Sequence, residues 1–327
     1  MEANILWLNI IILVVSLAAL VWSADKFVFG AAAIARNLGI SPLVIGLTIV
    51  AMGSSAPEMM VAASASLNAP PNTAIAIGNA IGSNITNITL VLGLTALLRP
   101  MLVASSTMRR ELPMVMLTSL LAAWLLWDLQ LTLLEGSLLM LGFFATIGGL
   151  TYMALKNPDQ QDPLVSELEE EIPSDVPLWQ ALFWLVLGLG LLIYSSDKLV
   201  ESAVGIAQYF GISDLVIGLT IIAIGTSLPE LAACIASVLK KEGDLALGNI
   251  VGSNIFNILA VLAIPGLIAP GAIDASAAGR DMYYMLGVTV LLLIVAGNGK
   301  IKEITRVEGG LLLACFIAYQ VLLFYTM

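Results

Sequence analysis

Apolar stretches long enough to cross a bilayer recur from end to end of this chain, parted by short polar breaks. Ten can be read, centred near residues 14, 54, 86, 119, 144, 187, 225, 256, 289 and 317. A membrane-crossing helix needs about 20 apolar residues. The pattern therefore predicts an all-α polytopic membrane protein with ten transmembrane helices. Polar breaks fall at Lys26/Arg36, 69–73, 99–110, 128–132, 156–177, from Lys198 onward, 240–244, 269–281 and 297–306. The first apolar run, from about Ile5 to Ser23, is preceded by Glu2 but by no Lys or Arg, so no cleavable leader is expected.

Composition agrees. The 327 residues are 59% hydrophobic and 11% charged, where a soluble domain carries about 25% charged residues. The net charge of −10 says little about partners. Much of it sits in one block, with Asp159, Asp162, Glu167, Glu169, Glu170, Glu171 and Asp175. Like-charge blocks of this kind behave as solvated linkers, and nothing here suggests nucleic acid. Cys234 and Cys315 both lie in apolar runs and read as buried, inert thiols. The absence of histidine removes most zinc sites and the usual proton shuttle.

Loop charges set an orientation. With the N-terminus outside, the cytoplasmic side holds Lys26, Arg36, Arg99, Arg109, Arg110, Lys156, Lys240, Lys241, Lys300, Lys302 and Arg306, and the outside holds only Lys198 and Arg280. By the positive-inside rule, eleven against two places both termini outside and the acidic linker in the cytoplasm.

The polar positions inside the apolar runs occur twice. Residues 39–58 (GISPLVIGLTIVAMGSSAPE) and 211–230 (GISDLVIGLTIIAIGTSLPE) agree at fifteen of twenty positions. GNAIGSNITNI at 78–88 matches GNIVGSNIFNI at 248–258 at eight of eleven. Ser23–Lys26 matches Ser195–Lys198, and Arg110-Glu111 matches Arg280-Asp281. This predicts a first five-helix repeat at 1–155, a linker at 156–177 and a second repeat at 178–327. Five spans is an odd number, so the second copy enters the membrane with opposite polarity. Inverted repeats bring equivalent residues together near the midplane.

Each copy of the first motif ends in a glutamate inside an apolar run, Glu58 or Glu230. An intramembrane carboxylate costs about 2.5–3.5 kcal/mol on insertion scales. Two of them, without a Lys or Arg in the same segments, would repel each other, and a bound cation relieves both problems. Ser54, Ser55 and Glu58 share a helix face by their spacing. Gly53 and Pro57 predict a break in the helix there, and Gly225, Thr226, Ser227, Pro229 and Glu230 repeat the arrangement. Breaks at membrane depth free carbonyls that can line a cavity or bind an ion. Asn79, Ser83 and Asn87 form a stripe spaced by four, as do Asn249, Ser253 and Asn257. Gly78/Gly82 and Gly248/Gly252 are small-xxx-small pairs, which membrane helices use for close packing. The ligands on offer are all oxygen, which suits calcium, with about 6–8 oxygens, or sodium, and protons could neutralise the same carboxylates. Asp25 and Asp197, each beside a lysine, read as local ion pairs.

At these motifs the chain resembles the calcium/cation antiporter family, the sodium/calcium exchangers, and within it a bacterial inner-membrane member. The paired GxSxPE-type and GSNxxNI-type motifs carry the resemblance across nearly the whole chain. It implies ten transmembrane helices in two inverted five-helix repeats, with central ligands on the second and seventh. It places Glu58, Glu230, Ser54 and Thr226 at a calcium site. Sodium sites would draw on the Ala51 carbonyl, Ser55 and Ser83 in one half, and the Ala223 carbonyl, Ser227 and Ser253 in the other. Asn87 and Asn257 take central positions on the third and eighth helices. Several relatives carry aspartate at the position of Asn257, so the core here has two carboxylates rather than three.

The expected function is exchange of Na+ for Ca2+ by alternating access, with the two ions and the bilayer as the only partners. No resident cofactor and no obligate protein partner is expected. Proton or potassium coupling on the same scaffold is the alternative. A passive channel comes next. An intramembrane hydrolase is disfavoured, because no His, and no Lys near Ser54, Ser55 or Ser227, could activate a nucleophile.

Overall fold

The computed structural model describes residues 2–39, 51–103, 107–156, 176–239, 243–297 and 303–326. The acidic block 159–175, residues 40–50 of the first motif, and Lys240, Lys241, Lys300 and Lys302 of the charge count lie outside the described residues.

Within them the chain is helical almost throughout. The helices are α1 (Glu2–Asn37), α2 (Ala56–Leu67), α3 (Thr73–Leu98), α4 (Leu112–Leu125), α5 (Leu133–Lys156), α6 (Leu178–Phe210), α7 (Asp214–Leu239), α8 (Ala246–Ile268), α9 (Ala277–Gly297) and α10 (Arg306–Tyr325). Seven of these, α1, α3 and α6 to α10, are long and apolar enough over the described residues to cross a membrane; the apolar helices around α4 and α5 are shorter. This is a multi-pass, all-helical membrane protein.

α1 and α6 run further than their apolar centres predict, over 36 and 33 residues. No proline interrupts either one, and they end at Gly39 and Gly211, whose φ values of 78° and 66° lie in the left-handed region where glycine is unstrained. Asp25 and Lys26 therefore sit inside a helix and pair at 2.7 Å, as expected. Lys198 departs from the expectation. It pairs with Glu201 one turn on, at 2.5 Å, rather than with Asp197, because side chains three apart share a helix face.

The core is built on α3 and α8, the two most enclosed spans. α1 and α6 pack against each other along their length, where a Cβ at Gly188 would fall 2.7 Å from Phe27 Cα. Their other faces leave Trp7, Ile11, Val15, Phe183 and Val186 exposed, which suits contact with lipid.

Several contacts occur in exchanged pairs. A Cβ at Gly309 of α10 would meet Ala96 of α3 at 2.7 Å, and one at Gly136 of α5 would meet Gly266 of α8 at 2.8 Å. Two-residue strands do the same. β1 (Met101–Leu102) pairs antiparallel with β4 (Glu303–Ile304), and β2 (Gln130–Leu131) pairs with β3 (Gly271–Ala272). Thr132 and Glu135 cap α5 reciprocally, and Thr305 and Glu308 cap α10 in the same way.

Candidate cation site

The expected breaks are present. Short turns Ala51–Gly53 and Ala223–Thr226 end beside Ser55 and Ser227, which share one backbone conformation (φ −88°, ψ 3° and φ −83°, ψ 3°). New helices then start at Ala56 and Leu228. Pro57 and Pro229 have no N–H to offer the carbonyls of Gly53 and Gly225 four residues back. Glu58 and Glu230 fall in the first turn of the new helices, where the aligned peptide dipoles favour negative charge.

Both glutamates are 0% exposed, and among the described residues neither has an ion-pair partner. Both Glu58 carboxylate oxygens and Glu230 Oε2 lack a hydrogen-bond donor, while Glu230 Oε1 accepts from Ser253 Oγ at 3.4 Å. Each carboxylate is approached by a hydroxyl of the other half, Thr226 toward Glu58 and Ser54 toward Glu230. The two carboxylates also lie close enough to repel each other.

The polar stripes on α3 and α8 complete the site, again reciprocally. Ser54 Oγ lies 3.3 Å from Ser253 Oγ, and Ser83 Oγ lies 3.5 Å from Thr226 Oγ1. α3 reaches α7 because glycine lines the contact: a Cβ at Gly78 would fall 2.7 Å from the Leu215 carbonyl oxygen. Asn87 and Asn257 each open a π-helical segment, Asn87–Val91 and Asn257–Val261. Such bulges are frequent at functional sites. Asn87 Nδ2 donates to Asn254 Oδ1 at 3.2 Å, but Asn87 Oδ1 and both amide atoms of Asn257 are buried without a partner.

The structure thus brings Glu58, Glu230, Ser54, Ser83, Thr226 and Ser253 together. It leaves the Ser55 and Ser227 hydroxyls buried and unpartnered. Ala51 and Ala223 open the two short turns. The Ala223 carbonyl already accepts from Ser227 N at 3.2 Å and Thr226 Oγ1 at 3.4 Å. Two residues outside the expected set also enter. Asn79 bonds both the Glu58 carbonyl and Thr226, and Asn254 bonds Asn87. Asn79 was visible as a member of its four-spaced stripe, whereas Asn254 stands off the stripe but belongs to the repeated GSNxxNI motif.

Nearly all buried polar atoms in proteins find partners, so this concentration of unpartnered oxygens on two carboxylates, two hydroxyls and two amides asks for a ligand. No cluster of three Asp, Glu, His or Cys side chains is present among the described residues. The donor set is therefore two carboxylates filled out by neutral oxygens, which suits a hard cation.

The family model of the sodium/calcium exchanger protein matches residues 8–152 and 180–325. The chain is 58% identical to a protein named as the antiporter CaxA of Alkalimonas amylolytica, over 96% of this chain and 98% of that one. It is 43% identical to the inner membrane protein YrbG of Escherichia coli K12, over 96% of each. Among solved structures it resembles the sodium-calcium exchanger NCX_Mj, with a TM-score of 0.63 and 32% identity over 97% of this chain and 98% of that one.

Proposed function

The chain belongs to the sodium/calcium exchanger family, and from that premise we propose that it exchanges Na+ for Ca2+ by alternating access at one site shared by Glu58 and Glu230. The observation that carries the reading is the pair of buried, unpartnered carboxylates at equivalent helix breaks. A site charge of −2 is balanced by one Ca2+, or by two or three Na+ spread over neighbouring oxygens. Occupancy by one ion then excludes the other, which is what obligatory exchange requires.

In this reading Glu58, Glu230, Ser54 and Thr226 hold calcium. Sodium uses the Ala51 carbonyl, Ser55 and Ser83 on one flank, and the Ala223 carbonyl, Ser227 and Ser253 on the other, with Asn87 and Asn257 between them. The halves 1–155 and 178–327 are inverted five-helix repeats joined by the linker 156–177, with both termini outside. The exchanged contacts α3–α10 and α8–α5, and β1–β4 and β2–β3, support a two-fold relation between them. α1 and α6, packed chiefly on each other, are the pair that slides across the core. The bacterial inner membrane is the proposed location, by likeness to YrbG. The chain is a transporter rather than an enzyme.

Radiolabelled calcium uptake into proteoliposomes, driven in turn by outward Na+, K+ and H+ gradients, tests the coupling. Uptake that follows the sodium gradient alone is expected. Uptake that follows only the proton or potassium gradient would assign the coupling ion differently, and uptake indifferent to all three would indicate a channel.

A further inference from the structure

Asn79 and Asn249 hold the same place in the two halves, four residues before Ser83 and Ser253. Neither belongs to the ligand set proposed above, and the structure treats them differently. Asn79 is 0% exposed; its Nδ2 donates to the Glu58 main-chain carbonyl at 3.1 Å, and its Oδ1 accepts from Thr226 Oγ1 at 3.2 Å. One amide thus ties the glutamate backbone of its own half to the break hydroxyl of the other half. Thr226 Oγ1 shares its one proton between Asn79 Oδ1 and the Ile222 carbonyl of its own turn, at 3.1 Å, and its lone pairs can face a cation beside Glu58.

The Asn249 side chain is only half-buried and makes no hydrogen bond to a described residue. The hydroxyl equivalent to Thr226 is Ser54, which is also half-buried and lies 3.3 Å from Ser253 Oγ instead. Packing is close on the Asn79 side, where a Cβ at Gly82 would fall 2.8 Å from the Ala223 Cβ. Among the described residues, the Asn79 side chain clasps the site and the Asn249 side chain does not.

We infer that Asn79 and Asn249 are paired positioning residues that close in turn. In the state seen here Asn79 holds Glu58 and Thr226. In the opposite state Asn249 takes the Glu230 carbonyl and the Ser54 hydroxyl, and Asn79 lets go. The inference rests on the alternating-access reading, because inverted repeats make the second state the first with its halves exchanged. Each amide links the geometry of the ion ligands to the side that is sealed. Removing one therefore destabilises one state and populates the other.

Amide hydrogen exchange of the full chain in lipid nanodiscs tests this without requiring transport. In Asn79→Ala, exchange at 73–86, the helix segment that carries Asn79, should rise about tenfold, the scale set by losing two neutral hydrogen bonds, while exchange at 246–256, the segment that carries Asn249, falls. Asn249→Ala should move the same two segments in the opposite senses. Asn79→Asp keeps the acceptor for Thr226 but, when ionised, loses the donor to Glu58. It should shift exchange in the same direction by less, and it carries the test if the alanine variant does not fold. Changes in the same sense in both variants, or none in either, would overturn the inference. The exchange reading fails separately, if the wild-type chain shows reciprocal protection but no sodium-driven calcium flux.

Discussion

Gly82→Ala is the smallest change that separates α3 from α7 at the site. The added methyl would lie 2.8 Å from Ala223 Cβ, 2.8 Å from Leu219 Cα and 2.9 Å from the Leu219 carbonyl oxygen. Non-bonded carbon contacts settle at about 3.5–4.0 Å, so the helices must part by roughly 1 Å. Two of the three obstacles are backbone, which cannot rotate away. Overpacking of this kind costs about 1–3 kcal/mol, against about 1 kcal/mol gained from the better helix propensity of alanine. Overall stability should therefore change little. Ion affinity should not be spared, because the next residue, Ser83, lies at 3.5 Å from Thr226, at the edge of hydrogen-bonding range. Parting the helices breaks that contact and draws Thr226 away from Glu58. Calcium titration by calorimetry should show affinity about 5- to 150-fold weaker, the equivalent of about 1–3 kcal/mol. Gly287→Ala in α9 is the control, since its methyl meets nothing within 4 Å, and it should bind calcium as the wild type does. Wild-type affinity in Gly82→Ala would refute the claim that the α3–α7 contact shapes the site.

Other consequences follow from single contacts. Asp281 is fully buried and pairs with Arg280 at 2.7 Å and Tyr319 at 3.1 Å. Asp281→Ala, which removes both contacts, should destabilise the protein more than Tyr319→Phe, which should cost about 1 kcal/mol, in thermal unfolding in detergent; equal losses would contradict this ranking. Asn257→Asp adds a third negative charge where both amide atoms lack partners, and it should raise the Hill coefficient for sodium in sodium-dependent calcium efflux. Ser196 Oγ donates to Ser64 Oγ at 2.9 Å between α6 and α2. Ser196→Ala should speed turnover several-fold, on the scale of about 1 kcal/mol, without moving half-saturating calcium. A change in calcium dependence with unchanged turnover would place that contact in the binding site instead.

The sequence made the helix breaks legible because Gly, Ser and Pro act locally: GSSAPE and GTSLPE bend the chain where the structure bends it. The duplicated glutamates were legible by their cost in an apolar run. The long extensions of α1 and α6 were not. Apolar periodicity marks where a helix meets lipid, whereas these extensions are held by packing on each other until Gly39 and Gly211 end them. Contacts between the halves, such as Ser54 with Ser253 and Thr226 with Ser83, were also hidden. They join residues more than a hundred positions apart, and the meeting of α3 with α7 along Gly78 and Gly82 is what brings Ser83 to Thr226. Asn79 was visible in its stripe, but the equal spacing of the two stripes could not show that Asn79 bonds where Asn249 does not.

Sodium-driven calcium uptake requires Glu58 and Glu230 to act as one site. The direct test is radiolabelled calcium uptake into sodium-loaded proteoliposomes by the wild type, Glu58→Gln and Glu230→Gln, each reconstituted at equal density. Glutamine keeps the shape of glutamate and removes its charge. If the two carboxylates jointly hold one calcium ion, either substitution alone abolishes sodium-driven uptake. Near-normal uptake in either variant would mean that the two residues serve separate sites or none.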